Sequence, residues 1–294
     1  MSRILISGKT GQVGYELERS LQGLGEIFAL DRKQMDLTDL DQVRDVIRRV
    51  KPTLIVNTAA YTAVDQAESE PVIALRINGE APAVMAEEAG KLGAALIHYS
   101  TDYVFDGSKK GPYEETDPPC PINVYGSSKL AGETAIQAAG IPHLILRTSW
   151  VYSAHGKNFL LTMRRLAEER EELAIVSDQY GAPTWSRTVA DTTAHILSQY
   201  LAAADPQRWW HEHSGLYHLT AQGLTTWFGL ADAIMAHPSI TKKPRLRAIL
   251  AKDYPMPAQR PANSQLSSRR LLDTFCGLPQ WQDALLLCQD SMLD

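Results

Sequence analysis

The stretch that most restricts this chain is "RILISGKTGQVG", residues 3–14, where a short apolar run meets glycines at positions 8, 11 and 14. The run reads as a strand. The spacing of Gly8, Gly11 and Gly14 then requires a tight strand-to-helix turn, a backbone that a pyrophosphate can approach, and a helix packed close on its strand. Each demand is met by a residue without Cβ. The helix that opens there turns free N–H groups and the positive end of its dipole toward phosphate. A glycine-rich turn alone need hold nothing, but here an acid, Asp31, closes the second apolar run, at the distance expected for an adenosine ribose contact. Asp31 favours the ribose hydroxyl of NAD, whereas its neighbour Arg32 suits the 2′-phosphate of NADP, and the residues leave both open.

Four further runs repeat the strand signal: "EIFALD" from Glu26, "TLIVNTA" from Thr53, "AALIHYS" from Ala94 and "HLILRTSWVY" from His143. They are apolar on both faces and are separated by helix-length stretches such as "LDQVRDVIRRV" and "EAPAVMAEEAGKLG". Strands alternating with helices predict βαβ units with right-handed crossovers, and hence an α/β, Rossmann-type doubly wound parallel sheet. Residues 1–155 are expected to form this dinucleotide-binding domain. Beyond Gly156 the pattern loosens into a smaller C-terminal α+β lobe, residues 156–294, expected to face substrate, with a segment at about 180–220 returning to the first domain. Its elements are helices over "NFLLTMRRLAEER", "RTVADTTAHILSQYLAAA" and "TTWFGLADAIMA", a strand and turn in "ELAIVSDQYGAP", a proline-rich loop from Tyr254 to Asn263, and a last helix near Trp281.

Bulk properties exclude several classes. A net charge of −5 leaves no basic excess for a phosphate backbone, so nucleic acid is not an expected partner. No apolar run reaches the length of about 18 residues that a membrane span needs, and the N-terminal run is too short for a signal peptide. The three cysteines, Cys120, Cys276 and Cys288, show no metal-like spacing and fit a reducing compartment, which makes the cytoplasm the expected location. His211, His213 and His218 likewise lack zinc spacing and read as loop histidines that pack or face solvent.

A second constellation lies in "HYSTDYVFDGSKKGPYEETDPPCPINVYGSSKLAGE", residues 98–133. A helix near its end places Tyr125 and Lys129 one turn apart on one face. A free phenol titrates near pH 10, and a neighbouring ammonium favours the phenolate. The expectation is a tyrosine of raised acidity that gives its proton to a carbonyl oxygen. Thr101 (or Ser100), at a strand's carboxyl end where ligands of such sheets gather, is placed to bond the same oxygen.

Together "GKTGQVG", "NTAAYTAVDQAESEP", "HYSTDYVFDG", "NVYGSSKLAGE", "RTSWVY", "DQYGAPT" and "RPANSQL" resemble the extended short-chain dehydrogenase/reductase family, nearly end to end. Within it they are similar to the branch that acts on dTDP-4-dehydro-β-L-rhamnose. The resemblance implies reduction of that sugar's C4 ketone by NADPH or NADH, giving dTDP-β-L-rhamnose for surface polysaccharide. It implies Tyr125 as proton donor, Lys129 as its support and nicotinamide-ribose ligand, and Thr101 as the residue that tunes the carbonyl. Gly11, Gln12 and Val13 would then touch the pyrophosphate, Asp31, Asp36 and Leu37 the adenosine part, and Ala60, Tyr61, Thr62 and Tyr99 the cofactor cleft. Thr101, Asp102 and Trp150 would meet the sugar. Trp150 also suits core filling, and Arg260 and Asn263 are either diphosphate ligands or ordinary loop residues.

Some members carry Mg²⁺ at a subunit contact. Glu16 keeps one of the carboxylates, but Arg187 stands where the second is expected, and a cation cannot ligate Mg²⁺, so no metal site is expected. The segment "DPQRWWHEHSG", around Trp209 to His213, is longer than the family pattern. A homodimer is compatible with the resemblance. Two other readings stay open: a nucleotide-sugar epimerase or dehydratase on this scaffold, and a non-catalytic regulatory subunit like that of methionine adenosyltransferase. Against elimination chemistry, Asp102 is followed by Tyr103 rather than by a second acid.

Overall fold

Six strands hydrogen-bond into one sheet in a computed structural model that describes residues 2–293. They are β1 (Arg3–Ser7), β2 (Glu26–Leu30), β3 (Leu54–Asn57), β4 (Ala95–Thr101), β5 (His143–Thr148) and β6 (Gly215–His218), in the spatial order β6-β5-β4-β3-β1-β2. Every pairing is parallel. The order reverses direction between β1 and β3, and the crevice beyond their carboxyl ends is where a doubly wound sheet receives a ligand.

Both faces are covered, as the unbroken apolar runs require. Helices α1 (Gln12–Ser20) and α5 (Ser186–Ala202) bury one face, with Ile6, Val56, Ile97 and Leu146 at its centre. Helices α2 (Leu40–Val50), α3 (Ala81–Leu92) and α4 (Val124–Ala138) bury the other over Leu5, Ile55, Leu96 and Ile145. Each such side chain contributes about 1.5–3 kcal/mol by leaving water. A helix running from Pro71 into α3 widens to a π turn at Arg76–Glu80.

The smaller lobe has its own core, including Tyr152, Met163, Trp185, Ile234 and Trp281, and a two-stranded parallel ribbon, Glu172–Val176 with Arg245–Ile249. No helix among the described residues is long and apolar enough to cross a membrane.

Two expectations need correction. "HLILRTSWVY" is not one strand: β5 stops at Thr148, and pairing resumes only at Val151–Tyr152, with Thr184–Trp185. Between them Trp150 takes a left-handed backbone, φ 47°. Its indole stacks on Trp227 at 3.7 Å and lies over Gly181, where a Cβ would come within 2.5 Å of the ring. Stacking offsets a backbone strain of about 1–3 kcal/mol.

The segment "DPQRWWHEHSG" is not a loop either. Asp205 caps the helix Pro206–His213 by accepting from the Gln207 and Arg208 N–H groups, with Pro206 at the first helical position. The helix buries Trp209 and Trp210 beside Tyr200 and Phe275, so the added length serves packing on the α1/α5 face.

Candidate active site

The glycine loop is built as its spacing predicts at two of three positions. Gly8 has φ 74°, and a Cβ there would meet Ala59 at 3.0 Å. At Gly14 a Cβ would fall 2.2 Å from the Gly8 carbonyl oxygen, so only glycine lets α1 lie this close to β1. Gly11 is less confined and starts α1 with its N–H on the Gly8 carbonyl, 2.9 Å. No side chain caps α1 and no acid sits in its first turn, so the N–H groups of Gln12 and Val13 face the crevice unclaimed by a cap. This cradle fits a pyrophosphate. Gln12 also reaches the other lobe, donating to the Val151 carbonyl and accepting from Asn158.

At the end of β2, Asp31 accepts from the Lys33 and Gln34 N–H groups at 2.9 and 3.1 Å. Arg32 is exposed and pairs with Asp36 at 3.3 Å. Burial pushes the Asp36 carboxyl up, but bonds from Thr38 and the Arg32 guanidinium outweigh it and hold it below its usual range. The Leu37 side chain is buried in the core beneath this turn, so it serves packing and is not exposed to a ligand.

After β3, residues 60–62 form the opposite wall. Asn78, on the π turn, accepts from the Tyr61 N–H at 2.8 Å and donates to the Tyr61 carbonyl and to Ser128. It thereby locks the wall to α4. Sequence reading missed Asn78, because a π turn has no local signature. The Tyr61 hydroxyl donates to Glu70 at 2.6 Å and is pushed up to about 12 by burial and that carboxylate. Tyr99 is a correction. Its ring is buried in the core on the opposite face, with the hydroxyl on Thr193 at 2.7 Å, so the side chain does not line the cleft. Strand alternation turns residues 97 and 99 to one face and 98 and 100 to the other.

Asn123 caps α4 by accepting from the Gly126 N–H at 2.7 Å. A Cβ at Gly126 would fall 2.1 Å from the Tyr103 carbonyl, so the start of α4 presses onto the turn after β4. Tyr125 then stands half-buried, edge-on to Tyr103, with its hydroxyl beside Thr101. Burial pushes that hydroxyl up to about 12; the Thr101 hydroxyl opposes this and the Asp102 carboxylate adds to it. The expected acidification by Lys129 is therefore absent. The Lys129 amine is turned to the Tyr99 carbonyl at 2.6 Å and to His98 Nε2 at 3.1 Å. Burial lowers Lys129 to about 8, against the opposing charge of Glu133.

Thr101 donates to Asp102 Oδ1 at 2.9 Å, while Asp102 Oδ2 is buried with no partner. Burial raises Asp102 to about 7, offset in part by the nearby Ser264 and Thr101 hydroxyls. Of the two hydroxyls weighed from sequence, Thr101 meets Tyr125; Ser100 Oγ is buried without a partner.

The remaining expected residues divide. Trp150 stands half-buried on Trp227 at the junction of the lobes. Arg260 forks onto Asp65 at 3.0 and 2.6 Å rather than standing free. The Asn263 amide donates to the Lys109 and Gly111 carbonyls and its oxygen accepts from Gln265, so it is spent on joining loops and is not available to a diphosphate. Glu16 is raised by burial and faces the charges of Arg187 and Arg19, a donor set unsuited to Mg²⁺. Among the described residues, no group of His, Cys, Asp or Glu side chains is placed to hold a metal. His213 bonds the Trp209 carbonyl on its helix, and His218 is buried on β6 and lowered to about 3 by burial.

A glycine cradle at the switch point, with Tyr125 on Thr101 and a buried lysine one turn along the same helix, defines a short-chain dehydrogenase/reductase of the extended type. Comparison with known proteins narrows the class. The chain matches the family described as RmlD substrate binding domain over residues 1–293. It is 47% identical over 298 residues to the dTDP-4-dehydrorhamnose reductase of Burkholderia thailandensis, covering 99% of each chain. It is 46% identical over 288 residues to that of Escherichia coli, covering 95% of this chain and 94% of the relative. The crystal structure of dTDP-4-dehydrorhamnose reductase from Bacillus anthracis in complex with NADP superposes with a TM-score of 0.90 at 33% identity, over 99% of both chains. This chain belongs to the dTDP-4-dehydrorhamnose reductase family. A Thermus thermophilus UDP-glucose 4-epimerase, 21% identical with a TM-score of 0.80, shares the fold.

Proposed function

We propose that this chain reduces the C4 ketone of dTDP-4-dehydro-β-L-rhamnose to dTDP-β-L-rhamnose, with NADPH or NADH, in the supply of rhamnose for surface polysaccharide. The observation that carries the reading is the Tyr125–Thr101 pair, set at the carboxyl edge of the sheet beside a pyrophosphate cradle. When bound, the reduced nicotinamide supplies the hydride; Gly8, Gly11, Gln12, Val13 and Gly14 would hold its phosphates, and Asp31, Arg32 and Asp36 its adenosine end. Lys129 would hold the nicotinamide ribose.

Tyr125, raised to about 12, keeps its proton at neutral pH and so presents a donor to the C4 oxygen. Thr101 gives its own proton to Asp102 and stands beside the Tyr125 phenol, which leaves the phenol proton for the C4 oxygen. Asp102 Oδ2, buried and unpartnered, is the acceptor for a sugar hydroxyl. Trp150 forms the sugar-side wall, and Arg260 reaches the diphosphate only by exchanging Asp65. Residues 1–155 carry the cofactor, while 156–294 mainly carry the sugar. The reading places the protein in the cytoplasm and is compatible with a homodimer.

The test is a spectrophotometric assay of purified protein with the 4-keto sugar, comparing NADPH and NADH. Loss of reduced nicotinamide that depends on the sugar supports the reading. Sugar conversion without net cofactor oxidation would mean an epimerase, and cofactor binding with no turnover a regulatory subunit.

A further inference from the structure

The cross-strand rows of the sheet are apolar until the one nearest the cleft. In the registered row Ser7, Asn57 and His98, on β1, β3 and β4, three polar side chains stand where Leu5, Ile55 and Leu96 stand one repeat earlier. All three are at most 1% exposed. Burying three polar groups side by side is costly unless each is bonded, and each is. Ser7 Oγ accepts from the Ala59 N–H at 3.3 Å and donates to Asn57 Oδ1 at 2.6 Å. Asn57 Nδ2 lies 3.0 Å from His98 Nδ1, and His98 Nε2 lies 3.1 Å from Lys129 Nζ. The row thus runs from the residue before the glycine loop to the amine beside Tyr125.

The donors and acceptors along this row have one consistent direction. The Ala59 N–H occupies Ser7 as an acceptor, so the Ser7 hydroxyl gives its proton to Asn57 Oδ1. That leaves the Asn57 amide N–H₂ to donate to His98 Nδ1. The imidazole is neutral, because burial pushes it well below its ordinary value. A neutral ring that accepts at Nδ1 carries its proton on Nε2, and that N–H bonds Lys129 Nζ when the amine is in its neutral form, which burial favours by lowering it to about 8.

We propose that His98 is a positioning residue for Lys129: held by Asn57 and Ser7 in its Nε2–H tautomer, it fixes the amine between its own ring edge and the Tyr99 carbonyl. Two partners at fixed angles leave the amine one orientation. A leucine at position 98 would fill similar space and leave Lys129 one partner and free rotation about its stem. The proposal rests on the reductase reading for its catalytic consequence, but its structural content is independent of the substrate.

The experiment has two arms. Long-range nitrogen–proton NMR spectra of histidine-labelled cofactor-free protein at pH 9, above the value of about 8 to which burial lowers the Lys129 amine, report the tautomer of His98 directly, assigned by its loss in His98→Gln. The Nε2–H form is expected, and the Nδ1–H form overturns the proposal whatever the activity proves to be. In the second arm, His98→Leu is expected to lose about 10–100-fold in kcat, as a misplaced active-site group does. His98→Gln, which returns a polar atom near the Nε2 position, should recover most of that loss at matched thermal stability. Equal kcat for wild type and His98→Leu, or no rescue by glutamine, overturns it. Absence of turnover in the wild type would instead refute the reductase reading and leave the first arm intact.

Discussion

Replacing Tyr125 with phenylalanine removes one oxygen and leaves the ring edge-on to Tyr103. Two consequences separate cleanly in size. The lost hydroxyl stands beside Thr101 in a half-buried setting, so folding stability should change by about 1 kcal/mol or less. On the proposed mechanism catalysis loses its proton donor, a contribution of about 10²–10⁴-fold, equivalent to about 3–5 kcal/mol of barrier. The cradle at Gly8, Gly11 and Gly14 lies on another element and keeps its geometry. The assay measures kcat and KM for the 4-keto sugar, the cofactor Kd by fluorescence titration, and Tm. The expected result is a kcat reduced at least about 100-fold with cofactor Kd within a factor of about 2. A kcat within threefold of wild type would refute Tyr125 as the donor, and a parallel collapse of Tm would show that the hydroxyl serves the fold.

Other perturbations follow from the same structure. Gly14→Ala places a methyl group 2.2 Å from the Gly8 carbonyl, so cofactor affinity should fall by at least about tenfold, read by titration. Asp102 is raised to about 7, so the folded protein holds a proton that the unfolded chain loses near pH 4. Stability from this group is full below that value and declines as pH rises to about 7, by about 4 kcal/mol in all. Asp102→Asn should remove that decline from the pH dependence of Tm, and an unchanged slope would mean that Asp102 is ionised in the fold. Arg147→Met leaves Glu133 buried without its fork at 2.9 and 2.6 Å and should cost about 3–5 kcal/mol in chemical denaturation. Adding Glu133→Leu should return most of that loss.

The sheet was legible because each β-run declares itself locally: "RILIS", "TLIVNTA" and "AALIHYS" are apolar on both faces, and only a parallel, doubly covered strand needs that. The glycine loop was legible because Gly8 and Gly14 answer steric demands set within a few residues. What escaped was set by distant partners. Trp150 leaves the strand because Trp227, far along the chain, offers a ring to stack on. Tyr99 turns from the cleft because Thr193 waits on the other face, and Asn263 is consumed by carbonyls of residues 109 and 111. The i, i+4 spacing put Lys129 near Tyr125 but could not reveal that its amine points to the Tyr99 carbonyl and His98 instead. Spacing gives neighbourhood; direction comes from the rotamer and whatever lies across the interface.

The Asp65–Arg260 fork changes what the mouth of the cleft offers an incoming anion. The guanidinium there is already neutralised, by a carboxylate on the short helix Val64–Ala67, and the same carboxylate takes the Ala258 N–H. A diphosphate reaching Arg260 therefore trades one oxyanion partner for another. Its net gain is a small difference between two strong contacts, and the trade releases a loop from its anchor.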